Sequence, residues 1–306
     1  MNALCKAATA HDLGDVRDPL IIFGGPYGNF EAMTALFAEA DRRGVPGDRM
    51  ICTGDLAAYC ADAQATIDLI RARGAAVVAG NVEDSLGADS SDCGCGFNEG
   101  SACDVLAASW YAYASRTIDG DTKRWMRDLP RSVTFTMSGA RIAVVHGGVD
   151  QTNKFIFPAT PVDDVRGELM RSGADGVIAG HSGIPFSRGV DGRLWHNAGA
   201  VGMPANDGTP RVWYSVLTPG VTPGPNSILI ESRALTYNWR AAASKTRTAG
   251  LPIAYANALE TGLWPSDDIA PPPDRARRGQ AIAESTLNWS TLAAPRATTS
   301  ERIAAP

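Results

Sequence analysis

The chain predicts an α/β fold, and two observations carry that expectation. Short apolar runs rich in Val, Ile and Ala stop at glycine, and stretches of helical periodicity lie between several of them. Runs of about four to six such residues read as strands buried on both faces. Each run also delivers a side chain of a type that binds metals. Met50 to Cys52 leads through Gly54 to Asp55, Ala75 to Ala79 leads through Gly80 to Asn81, Arg141 to Val145 leads to His146, and Gly176 to Ala179 leads through Gly180 to His181. In α/β sheets ligands gather outside the carboxyl ends of strands, where glycine lets the backbone turn sharply. Asp55, Asn81, His146 and His181 are therefore expected to converge on a borderline or hard divalent ion such as Mn, Fe, Zn or Ni. Any one of them alone would read as a turn former or a hydrogen-bonded polar group; recurrence at matching strand ends points to a metal.

Taken in order, the first strand is Pro19 to Phe23, stopping at the turn Gly24, Gly25, Pro26, Tyr27, Gly28. Asn29 is placed to cap a helix over about 30–43, with Met33, Leu36 and Phe37 on its buried face and Gly44 as its stop. The Asp55 strand follows, then a helix capped by Asp62, buried through Ile67 and Ile70 and ended by Gly74, then the strand to Asn81. This is β-α-β-α-β with right-handed crossovers. An insertion over about 84–104, rich in Ser, Gly and Asp, carries Cys93, Cys95 and Cys103, and a helix is expected over 101–125. Alternation at Val133, Phe135 and Met137, then Ser138-Gly139 and the strand to His146, signals a hairpin on a second, half-exposed sheet. A helix over 162–170, the His181 strand, strands at 193–197, 211–217 and 227–231, and helical sequence over 239–263 complete a single domain spanning 1–264. Residues 265–306, rich in Pro and Ala, read as an extended arm that could embrace a neighbour; the oligomeric state itself is not readable.

Composition narrows the function classes. With 306 residues and 44% apolar content the chain can bury a large core. A net charge of −5 argues against a nonspecific nucleic-acid or anionic-membrane surface. No apolar run approaches the roughly 20 residues that span a bilayer, and the first 18 residues lack a signal-peptide pattern. A cytoplasmic protein is expected, and six cysteines then fit a reducing compartment better than a disulfide scaffold.

The ordered blocks Gly54-Asp55, Gly80-Asn81, His146-Gly147-Gly148, Gly180-His181-Ser182-Gly183 and Asn197 through Gly202 resemble those of the calcineurin-like metallophosphoesterases, in order and spacing, over 19 to about 263. The resemblance implies a four-layer α/β/β/α sandwich of two mixed β-sheets, a metal site at its upper edge, and hydrolysis of phosphate esters. Departures are selective. Where the family has Asp-x-His after the first strand, this chain has Gly25 and Tyr27; the second His of its Gly-His-x-His block is Gly183; the His after the Asn, a proton donor in the family, is Val82. The lost ligands belong to one metal position and the retained quartet to the other, so one ion per chain is expected where the family holds two.

Several side chains have two readings. Tyr27 could donate to a bound oxyanion, with backbone N–H groups of 24–28 helping, or fill space over a vacant position. His196 could replace the missing imidazole or be a hydrogen-bonded structural histidine. Asn81 is both a ligand candidate and a catalytic one. Glu83 and Asp84 could supply a proton but read better as solvated loop acids. Cys93, Cys95 and Cys103, with Cys60, could form a thiolate site for zinc or an iron-sulfur cluster, although the spacing matches no familiar motif and a glycine-rich lid with free or buried thiols reads better. Cys5 and Cys52 read as incidental. Lys154 and Arg188 are loop candidates for a phosphate clamp, better read as solvated. The leading function is a phosphoesterase acting on a small phosphate mono- or diester; the alternative is a non-hydrolytic metal-binding or sensing protein, or different metal chemistry on the same fold.

Overall fold

The computed structural model describes residues 10–220 and 226–291. In chain order the elements are β1 (Ala10–Asp15), β2 (Leu20–Phe23), α1 (Phe30–Arg42), β3 (Met50–Cys52), α2 (Ala63–Arg73), β4 (Ala76–Val77), α3 (Asn81–Gly87), α4 (Ala102–Thr117) and α5 (Gly120–Arg127). They continue with β5 (Ser132–Met137), β6 (Ala140–Val144), α6 (Val162–Ser172), β7 (Gly176–Ala179), β8 (Phe186–Val190), β9 (Arg193–Asn197), β10 (Val212–Pro219), β11 (Ser227–Leu235), α7 (Trp239–Thr248), α8 (Ile253–Thr261), α9 (Pro272–Arg275) and β12 (Ser285–Ser290).

Two six-stranded mixed sheets face each other, in the orders β1-β5-β6-β7-β9-β8 and β12-β11-β10-β2-β3-β4. Alternation along β2 shows how they pack. Leu20 and Ile22 point between the sheets, against Val144, Ile178 and Leu194, while Ile21 and Phe23 point outward into a core shared with Met33 and Leu36 of α1 and Ile67 of α2. On the far side, Val165 and Leu169 of α6 cover Val177 and Trp195. Both faces of both sheets are thus covered, which gives the four layers α/β/β/α and accounts for the near-continuous apolar runs. Where one face covers less, as in β5, burial alternates residue by residue, and β5 and β6 form the expected antiparallel hairpin.

Local signals mostly act as expected. The Asn29 side chain accepts from the Ala32 N–H at 3.1 Å and caps α1. Asp62 stands at the start of α2 but makes no side-chain cap; its carboxylate accepts from Lys245 Nζ at 2.6 Å instead. The helix expected over 101–125 is two helices, α4 and α5, the second capped by Asp119. A strand not expected from the sequence, β1, precedes the one at Pro19 to Phe23 and pairs parallel with β5. Cys52 is a core residue as expected, whereas Cys5 lies outside the described residues.

The separate arm from residue 265 is corrected over its described part. β12 pairs antiparallel with β11 at the edge of the second sheet, and its Trp289 enters the core between the sheets. A sequence of small and polar residues hides this strand because it sits at an edge, with one face in water and one large residue inward. Residues 292–306 of the proposed arm lie outside the described residues. Trp289→Ala should therefore cost about 3 kcal/mol, as for other large-to-small core changes. The check is a urea titration, in which the midpoint should fall with an unchanged slope.

Candidate metal centre

The carboxyl ends of β3, β4, β6 and β7 meet at one edge of the sandwich, two from each sheet. The bond that joins them there runs from His146 Nδ1, beyond β6, to the Thr53 carbonyl, beyond β3, at 2.6 Å. A carbonyl only accepts, so the imidazole proton is on Nδ1 and Nε2 presents a lone pair. Gly80 makes this approach possible: a Cβ there would stand 2.7 Å from Asp55 Oδ1 and 2.9 Å from the His146 ring. Asp55 and His181 are each turned into the site with φ of 59°, the left-handed region that non-glycine residues adopt at a cost of about 1–3 kcal/mol.

The four expected side chains converge. His146 Nε2 lies 3.1 Å from Asn81 Oδ1, 3.0 Å from His181 Nδ1 and 3.4 Å from Asp55 Oδ1, and His181 Nδ1 lies 3.8 Å from Asp55 Oδ2. The ligand atoms of Asp55, His146 and His181 fall within 4.8 Å of one another. The Asn81 amide is oriented by the insertion, because its Nδ2 donates to the Cys93 carbonyl at 2.9 Å and reaches Cys95 Sγ at 3.5 Å. Its oxygen must then face inward. An amide oxygen, a carboxylate and an imidazole lone pair are thus turned toward one another, and Asp55 Oδ1 is buried without a hydrogen-bond partner. Acceptors do not stabilise acceptors; such a set fits a divalent cation with N/O preference.

Charges reinforce the arrangement. Burial works to raise the Asp55 carboxyl, yet the His146 and His181 imidazoles hold it well below the usual carboxylate range. For His146 burial opposes protonation and Asp55 wins, so its affinity for a proton rises; for His181 burial dominates and lowers it. Phe155, unnoticed in the sequence, stacks on the His181 ring with centroids 4.1 Å apart.

Glu83 is not a solvated loop acid. It is fully buried, and its carboxylate accepts from the Gly80, Asp55 and Leu56 N–H groups, each at 2.8 Å. Burial and the nearby Asp55 charge push it up to about 7, while those N–H donors favour the ionised form. It ties the turn after β3 to the turn after β4. The sequence signal was a carboxylate two residues into a helix that starts at Asn81, the position from which it can reach back to Gly80.

Other expectations are corrected. His196 lies away from the cluster: its Nδ1 contacts Ser187 Oγ at 2.9 Å and its Nε2 contacts Ser215 Oγ at 2.7 Å, so both nitrogens are occupied and the residue is structural. Three backbone N–H groups of the β2–α1 turn are already committed within the protein. The N–H groups of Gly25, Tyr27 and Gly28 donate to the Gly54, Asp55 and Leu56 carbonyls, and Pro26 has none. Asp84 pairs with Arg131, Lys154 with Glu168, and Arg188 donates to the Thr160 carbonyl. No thiolate site forms among the described residues. Cys93 and Cys95 are joined in a disulfide, Cys60 is buried in the core, and burial raises the Cys103 thiol. The expectation of free or buried thiols in this lid holds for Cys103 and is corrected for Cys93 and Cys95, although a disulfide spanning one intervening residue fixes a turn and does not staple the fold.

From Asp55 and His181 a cleft of about 90 Å³ opens. Tyr27, Tyr59, Phe97, Phe155, Tyr255 and Trp264 line it. These aromatics come from five separate stretches of chain, so sequence proximity could not reveal them.

A family model described as the calcineurin-like phosphoesterase superfamily domain matches residues 28–218. An uncharacterized protein of Methanocaldococcus jannaschii is 25% identical over 191 residues, covering 61% of this chain and 71% of the relative. Among solved structures, a metallophosphoesterase from Sphaerobacter thermophilus superposes with a TM-score of 0.61 at 18% identity, covering 81% of this chain and 100% of its own. A hypothetical protein from Pyrococcus horikoshii superposes with a TM-score of 0.63 at 13% identity, covering 80% of this chain and 99% of its own. At these identities the two structures show a shared fold, the two-sheet sandwich.

Two stability effects follow. Burial lowers the His196 imidazole to about 4, whereas an unfolded histidine titrates near 6.5. Between those values the unfolded chain binds a proton that the native one does not. This contribution is complete above about pH 6.5 and is lost on acidification to about pH 4, worth roughly 3 kcal/mol. His196→Gln should lower the urea midpoint at pH 7 and flatten its decline toward pH 4.5. Glu83→Ala strips three buried N–H groups of their acceptor and should cost at least about 3 kcal/mol, measured the same way at pH 7.

Proposed function

The chain belongs to the calcineurin-like phosphoesterase superfamily, and from that membership we propose that it is a metal-dependent phosphoesterase working with one divalent ion held by Asp55, Asn81, His146 and His181. The observation that carries the single-ion reading is the relation of Gly25 to Tyr27. A Cβ built on Gly25 would collide with the ring and hydroxyl of Tyr27. The tyrosine occupies the space into which a ligand from position 25 would project, so the two replacements are coupled. Gly183, where the resemblance expects a further histidine, faces Trp264, whose ring is 3.4 Å from the position of a Cβ.

When bound, the ion supplies Lewis acidity toward a phosphoryl oxygen and lowers the pKa of a water. The chain's own groups set the stage for that. The Thr53 carbonyl keeps the His146 proton on Nδ1, leaving Nε2 free to bind, and the Cys93 carbonyl turns the Asn81 oxygen the same way. The phenol of Tyr27 is held protonated by burial and by the Asp55 charge, its affinity for the proton raised well above the ordinary value. It lines the cleft with Asp55 and His181, and from there it donates to a phosphate oxygen. With the N–H groups of Gly25, Tyr27 and Gly28 spent, this hydroxyl acts without the help expected of them.

The test is elemental analysis of protein purified without added metal, alongside hydrolysis of bis(4-nitrophenyl) phosphate and 4-nitrophenyl phosphate. About one divalent ion per chain and metal-dependent turnover are expected. Asp55→Ala and His146→Ala should lose both. Tyr27→Phe should keep the ion and lose about a hundredfold in kcat. Two ions per chain, or an Asp55→Ala variant with full turnover, would overturn the site; a loaded protein that hydrolyses neither ester would belong instead to the non-hydrolytic class.

A further inference from the structure

The walls of the cleft and its charge are more specific than a generic phosphate site requires. On one side Phe155 lies on the His181 ring, and Phe97 stacks beyond it with centroids 6.2 Å apart and planes 17° from parallel. On the other, Tyr27 and Tyr255 each pack on Tyr59 with centroids 4.8 Å apart. Trp264 commits its indole N–H to the Pro204 carbonyl at 2.6 Å, so its polar edge is already satisfied. These aromatics line the same cleft as Asp55 and His181. Their quadrupoles favour a planar ring stacked or tilted between them.

The charge census is equally one-sided. Among the described residues no lysine or arginine lines the cleft, and Asp55 is its one carboxylate. Lys154 and Arg188, the nearby loop candidates, are committed elsewhere. A divalent ion beside the Asp55 carboxylate, with the buried Glu83 carboxylate bound to the Asp55 N–H behind it, carries at most a single net positive charge. A phosphodiester, with one negative charge, is balanced by it; a monoester dianion or a polyphosphate would bury charge without a partner.

We infer that the site takes a phosphodiester bearing an uncharged aromatic arm, the arm seated between Phe97 and Phe155 on one side and Tyr27, Tyr59 and Tyr255 on the other. This rests on the phosphoesterase reading of the same site. The phosphate sits at the Asp55 and His181 end, and the aromatic alcohol released on hydrolysis is the group the cleft holds. Hydrolysis breaks one P–O bond, water supplies the new P–O bond, and its proton passes to the departing alcohol, so no further reactant is needed.

The experiment reads binding first, so that it does not depend on turnover. Titration calorimetry compares 1-naphthol, 1-naphthyl methyl phosphate and 1-naphthyl phosphate on manganese-loaded protein, and 1-naphthol also on metal-free protein. The cleft should bind 1-naphthol with or without metal, and Phe97→Ala, with unchanged metal content, should weaken that binding about tenfold. The diester should bind at least about tenfold more tightly than the monoester, and Ser266→Lys, which adds a cation to the cleft wall, should narrow or reverse that ratio. Absent binding of 1-naphthol, no effect of Phe97→Ala, or tighter binding of the monoester by the wild-type protein would overturn the inference. Rates on the two esters then separate the two readings. Diester binding as expected without hydrolysis of either ester defeats the phosphoesterase reading and leaves the ligand class standing; hydrolysis with monoester preference does the reverse.

Discussion

The bond from His146 Nδ1 to the Thr53 carbonyl is the constraint on which the site depends. It joins the two sheets at their carboxyl edge, and by fixing a proton on one ring nitrogen it decides what the other can do. Everything near it must come close. Gly80 carries no side chain because a Cβ would meet Asp55 and His146, and Asp55 and His181 adopt left-handed backbone to turn inward. Strain of this kind persists only where the surroundings over-determine it. Here the four layers supply that surplus: the strands that feed the edge are buried on both faces, so the turns beyond them are anchored by the core.

Glu83 shows how the edge is held without a second set of ligands. Its carboxylate gathers N–H groups from the turns after β3 and β4, so the two turns of this sheet that present Asp55 and Asn81 move as a unit. The other sheet uses the buried Asn197 amide, whose Nδ2 donates to the Gly180 carbonyl at 2.6 Å and to Ser182 Oγ at 2.9 Å on either side of His181, together with Phe155 stacked on the imidazole. One half of the site is positioned by a buried charge and its hydrogen bonds, the other by a buried neutral amide and an aromatic face. The first is orientation-specific and the second keeps water from the imidazole.

Local rules made the α/β class and its ligands legible in the sequence, while the four-layer sandwich came from the resemblance of the ordered blocks. A buried strand ending in glycine and a polar residue is visible in a few positions, and the recurrence at Asp55, Asn81, His146 and His181 marks one edge. What it hid was set by distant partners. Glu83 looks like any loop acid until three backbone donors surround it, and His196 looks like a ligand until Ser187 and Ser215 are seen on either side. The N–H groups of the β2–α1 turn seemed open to an anion because their acceptors, the carbonyls of 54–56, come from another strand's turn. Trp289 reads as part of a tail until β12 is placed against β11.

The insertion at 84–104 also changes meaning once its partners are known. An asparagine can present either its oxygen or its nitrogen to a neighbour, and nothing in Asn81 itself decides between them. The Cys93 carbonyl decides, by accepting from the amide nitrogen, and the disulfide to Cys95 restricts the turn that presents that carbonyl. Cys93 and Cys95 therefore serve the centre as a structural clamp on one ligand, where the sequence left open a lid of free or buried thiols or a second set of ligands. The same segment contributes Cys95 and Phe97 to the cleft, so one short loop both aims a donor at the ion and shapes the wall against which the organic part of a ligand would rest. The two tasks fall to different residues of that loop: Cys93 and its disulfide orient the Asn81 ligand, while Phe97 shapes the wall.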